Sequence, residues 1–137
     1  MSDKLEVLRR VPLFADLDER SLQAIAVLAR EERHAAGDIL MLQGEPGDAF
    51  YVLVEGTVRI ERDGRPIRSI ATGGFLGEIA LVERRPRSAT ATAVSDVTAL
   101  VLRQHEFDRL LETMPAVHRR VLAAIERRER GERVETT

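Results

Sequence analysis

From Glu32 to about Leu102 the apolar residues of this chain come only in short runs, each cut off by Gly, Pro or Asp. That punctuation restricts the middle of the chain to small strands joined by turns. Ile39 to Leu42, Phe50 to Val54, Val58 to Ile60 and Ala99 to Leu102 read as strands. Thr57-Val58-Arg59-Ile60-Glu61 alternates polar and apolar residues, one face for solvent and one for a core. Arg62-Asp63-Gly64-Arg65 follows, and Asp-Gly is a preferred pair for a two-residue type I′ hairpin. Ser88-Ala89-Thr90-Ala91-Thr92-Ala93 also alternates, and its small residues imply tight packing. Many short strands at this spacing predict a β-barrel or double-sheet jelly roll, cupin-like in shape.

Both flanks have helical periodicity instead. Leu5 and Leu8 are spaced for a helix before Pro12, and a second amphipathic segment follows Asp18, with Leu22, Ile25, Ala26 and Ala29 on one face. Asp18 suits the N-cap, where its carboxylate accepts an orphan backbone N–H. Beyond the strands, Phe107, Leu110, Leu111 and Met114 form one apolar stripe, and Val117, Val121, Ala124 and Ile125 form another. Pro115 ends the first of these helices or opens the second at its first turn. After Glu126 the residues turn charged and polar, Gly131 is the expected stop, and Glu132 to Thr137 are expected to fray. The expectation is one α+β domain over residues 1–137: a helical part at 1–30, the β-barrel at 31–102 and two C-terminal helices at 103–131. Its 44% apolar residues suffice for one core, built largely from aliphatic side chains because the chain has no Trp, one Tyr and four Phe.

Composition removes several classes of function. A net charge of −2 gives no broad field for nucleic acid. The absence of cysteine excludes disulfides, thiolate metal sites and cysteine nucleophiles. His34, His105 and His118 stand apart, without His-x-His or His-Glu-x-x-His spacing, and no Gly-x-Ser-x-Gly elbow occurs. No catalytic residue, metal ligand or cofactor is therefore expected, and the chain does not read as an enzyme. Met1-Ser2-Asp3-Lys4 lacks the pattern of a signal peptide, and no apolar run approaches the roughly 20 residues of a bilayer span. A cytoplasmic location is the expectation.

The chemistry concentrates between Gly73 and Thr90, in Gly-Gly-Phe-Leu-Gly-Glu-Ile-Ala-Leu-Val-Glu-Arg-Arg-Pro-Arg-Ser-Ala-Thr. Gly73, Gly74 and Gly77 relax dihedral limits and permit close backbone approach to a ligand. A short helical turn beginning near Gly77 would present free N–H groups to an anion. Arg87 offers a planar fork for phosphate oxygens, better matched than a lysine point charge. An ionised Glu78 only accepts hydrogen bonds, so its complement on a nucleotide is a sugar hydroxyl. Ala80, Ser88 and Ala89 are small enough to leave space. Arg84 and Arg85 read as solvated loop charges that raise the local positive potential.

This run resembles the phosphate-binding cassette of the cyclic-nucleotide-binding domain family, of the catabolite-activator and protein-kinase-A-regulatory-subunit type. Gly77-Glu78-Ile79-Ala80-Leu81 and Pro86-Arg87-Ser88-Ala89-Thr90 match its pattern in order and spacing, with Leu76 inserted between Phe75 and Gly77. The resemblance extends through Gly37-Asp38, Gln43-Gly44, Gly47-Asp48-Ala49-Phe50-Tyr51 and Val54-Glu55-Gly56-Thr57-Val58, which look like the family's earlier strands and turns.

The resemblance implies a ligand, cyclic AMP or cyclic GMP, held by Gly77, Glu78, Ile79, Ala80, Arg87, Ser88 and Ala89. Arg87 would pair with the cyclic phosphate and Glu78 would accept the ribose 2′-hydroxyl. Arg127 or Arg128, on the helix after the barrel, would cover the base. Serine after the cassette arginine leans the expected ligand to cyclic AMP. The implied role is a sensor that signals to a protein partner through movement of its C-terminal helices, with a homodimer possible. No room is expected for a helix-turn-helix, so DNA is not an expected partner. The alternative is an interaction module of the same fold that works without nucleotide.

Overall fold

The computed structural model describes residues 4–136. Met1 to Asp3, on which the signal-peptide reading rests, and Thr137 lie outside the described residues. The chain begins with α1 (Lys4–Arg9), a 3-10 turn at Pro12–Phe14 and α2 (Glu19–Leu28). Asp18 caps α2, its carboxylate accepting from the Ser21 amide at 2.8 Å. Eight strands follow: β1 (Arg30–His34), β2 (Ile39–Met41), β3 (Ala49–Glu55), β4 (Val58–Arg62), β5 (Arg65–Ile70), β6 (Phe75–Leu76), β7 (Thr90–Ala93) and β8 (Val97–Arg103). A short α3 (Glu78–Glu83) interrupts them between β6 and β7, and α4 (Gln104–Thr113) and α5 (Pro115–Thr136) close the chain.

The strands form two antiparallel sheets, ordered β1-β8-β3-β6 and β2-β7-β4-β5, stacked as a jelly roll. The turn between β4 and β5 has Asp63 and Gly64 both at positive φ, 54° and 78°, as a type I′ turn requires.

β3 and β8 are buried on both faces, which is why their sequences run apolar without alternating. Their side chains still take turns. Tyr51 and Leu53 of β3 and Val97, Ala99 and Val101 of β8 point between the sheets, against Val58, Ile60, Ile70, Leu76, Ala91 and Ala93. Phe50, Val52, Leu100 and Leu102 point outward into a second core made with the helices, including Phe14, Leu22, Ile25, Phe107, Leu110, Val117 and Val121. Phe50 packs on Phe107 at 4.8 Å and on Phe75 at 5.6 Å between ring centres. Arg120 ties α5 to the N-terminal part, donating to the Leu13 and Ala15 carbonyls at 2.9 and 2.8 Å.

Pro115 opens α5, the second of the two places expected for it. Two expectations are corrected. Gly131 does not stop that helix, and Glu132 to Thr136 continue it. Glycine inside a helix costs about 1 kcal/mol relative to alanine, which neighbouring Glu and Arg, good helix formers, tolerate when no proline follows. The alternation from Ser88 to Ala93 becomes a strand only at Thr90, because Gly44 and Glu45 hold the Arg87 backbone in a loop through N–H···O bonds of 2.9 and 2.8 Å.

Candidate functional site

The site grows from the crossing of β3, β6 and α3. Gly77 joins β6 to α3 with φ +96°, and a side chain there would place Cβ 2.7 Å from the Ala49 carbonyl oxygen and 3.0 Å from Arg87 Nη1. Glycine is required on both counts. α3 then puts Glu78, Ile79, Ala80 and Leu81 into the interior.

Arg87 is only 6% exposed although it lies in a loop. Its guanidinium donates from Nη1 to the Gly77 carbonyl at 3.1 Å and from Nη2 to the Ala49 carbonyl at 2.7 Å. These bonds use two of its five N–H donors and fix the plane of the fork. Burial lowers its pKa, while Tyr51, Asp48 and Glu78 act in the opposite direction; an arginine stays cationic under such a shift. Tyr51 is a neighbour of Arg87, its hydroxyl donating to the Leu40 carbonyl at 3.2 Å. Burial raises the Tyr51 pKa, and the charge on Arg87 partly offsets that.

Glu78 is buried to 1% exposure. Oε2 accepts from Arg128 Nη1 at 2.5 Å, and Oε1 is buried with no hydrogen-bond partner among the described residues. Arg128 comes from α5, donates also to the Phe75 carbonyl at 2.7 Å, and rests over the Phe75 ring at 4.8 Å. A buried carboxylate oxygen without a donor is costly.

These groups share one cleft. Gly77, Glu78, Ile79, Ala80, Arg87, Ser88 and Ala89 all line it, together with Arg128. Its empty space is about 420 Å³ with the solvent-open mouth included. Arg127, the other candidate for the base, does not line it and is exposed. Sequence reasoning missed the apolar wall of Met41, Ile60, Ile70 and Leu76, and missed Arg68. It also missed Arg62, whose Nε donates to the Ser88 carbonyl at 2.8 Å and holds the far side of the cassette. Arg84 and Arg85 stay outside, paired with Asp108 at 2.7 Å and Glu83 at 2.6 Å.

Chemically, the cleft offers a cationic fork, the first-turn amides of α3, one unpartnered carboxylate oxygen and apolar walls. That set suits a small anion carrying a hydroxyl and a flat apolar part. Among the described residues no group of three or more His, Asp or Glu is placed to hold a metal ion. No helix among them is long and apolar enough to cross a membrane.

Comparison with known proteins places the chain in a family. Residues 31–114, more than half of the chain, match the family model described as the cyclic nucleotide-binding domain. A cAMP-dependent protein kinase regulatory subunit of Aspergillus niger is 34% identical over 82% of this chain and 28% of its own length. A cyclic nucleotide-gated potassium channel of Rhizobium etli is 33% identical over 90% of this chain and 35% of its own. The chain thus spans about a third or less of these relatives. The cAMP-bound structure of PfPKA-R superposes with a TM-score of 0.87 at 26% identity, covering 93% of this chain and 44% of that one.

Proposed function

Because this chain belongs to the cyclic nucleotide-binding domain family, we propose that it is a regulatory sensor of cyclic AMP, favoured over cyclic GMP, and not an enzyme. The observation that carries this reading is Glu78 Oε1, a buried carboxylate oxygen without a donor among the described residues, in the same cleft as the buried Arg87. In this reading the ribose 2′-hydroxyl donates to Oε1, and the remaining donors of Arg87 take the cyclic phosphate with the first amides of α3. Gly77, Ile79, Ala80, Ser88 and Ala89 form the close wall, and Arg128 covers the base. The lean to cyclic AMP draws on the cAMP-bound neighbour and on Ser88 after the arginine.

The signal leaves through the helices. Arg128 couples α5 to Glu78, and Gln104 at the start of α4 donates to the Leu81 carbonyl of α3 at 3.2 Å. A ligand that changes α3 therefore biases how α4 and α5 sit, a population shift that a protein partner, or a second copy of the chain, reads in the cytoplasm.

Equilibrium titration of nucleotide-stripped protein with cyclic AMP, cyclic GMP and linear 5′-AMP tests the reading. Saturable one-to-one binding of the cyclic nucleotides, with 5′-AMP much weaker, is expected. A folded sample that binds neither contradicts it and points to a nucleotide-independent interaction module.

A further inference from the structure

Two turns meet beside the cassette. The first closes where the Glu45 amide donates to the Leu42 carbonyl at 3.1 Å, with Gly44 at φ +88° in the place that a type II turn reserves for glycine. The second is the β4–β5 hairpin at Asp63-Gly64. The Gln43 side-chain amide joins them with both of its ends. Nε2 donates to Asp63 Oδ1 at 2.9 Å, and Oε1 accepts from the Asp63 backbone N–H at 2.9 Å. The hairpin's own closing bond does not use that N–H, so the glutamine completes the turn.

From this joint, hydrogen bonds run along the cassette. The Gln43 amide donates to Thr90 Oγ1 at 3.0 Å, the Gly44 amide to the Arg87 carbonyl at 2.9 Å, and the Arg87 amide to the Glu45 carbonyl at 2.8 Å. Arg62, which precedes Asp63, donates to the Ser88 carbonyl at 2.8 Å. One turn therefore holds the backbone of Arg87, the strand entering the other holds that of Ser88, and Gln43 ties the two turns together. Neither Gln43 nor Asp63 lines the cleft. Resting on the proposed cyclic-nucleotide function, we propose that Gln43 is a positioning residue for the phosphate site, which clamps the hairpin to the turn holding Arg87 and so sets how long a cyclic nucleotide stays bound. The Arg87 guanidinium is anchored to the Gly77 and Ala49 carbonyls. Its remaining donors meet a phosphate squarely only while its backbone keeps its place relative to those anchors. A slack turn lets the backbone drift, and the loss falls on the dissociation rate.

The test measures equilibrium affinity and dissociation rate for cyclic AMP in the parent, Gln43→Ala, Gln43→Glu, Gln43→Glu combined with Asp63→Asn, and Asp18→Ala, with melting temperatures as the check on folding. Gln43→Ala is expected to speed dissociation and weaken binding roughly three- to tenfold, with the association rate unchanged. Gln43→Glu sets two carboxylates against each other and should lose at least as much. Adding Asp63→Asn returns a donor to the pair, tolerates the positive φ, and should restore affinity to within about twofold of the parent. Asp18→Ala removes the cap of α2, so it should lower the melting temperature without changing affinity. Folded Gln43 variants that release cyclic AMP at the parental rate would overturn the proposal. So would a loss that Asp63→Asn does not recover, or an equal loss in Asp18→Ala, which would tie affinity to global stability. Each of these leaves the sensor reading standing, whereas a parent that binds no cyclic nucleotide would overturn both.

Discussion

Arg128 and Glu78 meet in the wall of the cleft, Nη1 to Oε2 at 2.5 Å, and leave Glu78 Oε1 buried with no partner among the described residues. One carboxylate is thus shared between the last helix and the ligand cleft. With a cyclic nucleotide as the ligand, these two uses cooperate. The arginine fixes the carboxylate so that its second oxygen is presented to a hydroxyl.

Replacing Arg128 with alanine removes a charge-assisted bond to a buried carboxylate. The expected cost is about 1.5–3 kcal/mol of stability, read as a lower melting temperature. Glu78→Gln should cost less alone, and the double variant should be milder than the sum of the two. Additive effects in that cycle would show that the two side chains are not energetically linked.

Glu78 should also distinguish a ribose from a deoxyribose. Glu78→Gln is expected to weaken cyclic AMP by tenfold or more, and 2′-deoxy cyclic AMP much less, because only the first presents the hydroxyl. Equal losses for both ligands would remove the 2′-hydroxyl assignment.

Gly47 supports Arg87 from behind. A Cβ there would sit 2.6 Å from Ala80 Cβ and 3.1 Å from Arg87 Cζ. Gly47→Ala should therefore weaken nucleotide binding by displacing the guanidinium. A variant that binds as the parent does would show that Arg87 is not held by this contact.

Tyr51 makes a prediction about alkaline pH. Burial raises its pKa above the usual 10.0, so the folded state keeps the phenol proton to higher pH than the unfolded chain. The resulting stability is complete below the unfolded value and is lost as pH rises through the folded one. Tyr51→Phe should lose this part of the alkaline decline, at a cost of about 1 kcal/mol at neutral pH for the bond to Leu40. Thermal unfolding across pH 9 to 11 measures both, and an unchanged decline in the variant would refute the assignment.

Local features of the fold were legible in the sequence because local chemistry decides them. Asp18 has its carboxylate three residues before the amide that it caps, and Asp63-Gly64 carries the dihedrals of its turn. The cassette was legible for the same reason, as its spacing lies within one short segment. Helix phase was also available. Extending the Val121, Ala124, Ile125 stripe by one turn puts Arg128 on the buried face and leaves Arg127 off it. Long-range pairing was not. Nothing near Arg68 announces that Ile60 stands opposite it, so an inward arginine on β5 reads as an ordinary surface charge until the register is known. Gly131 misled for the opposite reason, since a local breaker yields where its neighbours favour the helix.

The central claim is that Arg87 holds the phosphate of a cyclic nucleotide, and calorimetric titration of cyclic AMP into parent and Arg87→Lys protein tests it most directly. Lysine keeps the charge but loses the fork that bonds Gly77 and Ala49. The expected result is one-to-one binding by the parent and at least a tenfold weaker affinity for a variant that still melts cooperatively. Equal affinity in a folded variant would contradict the claim.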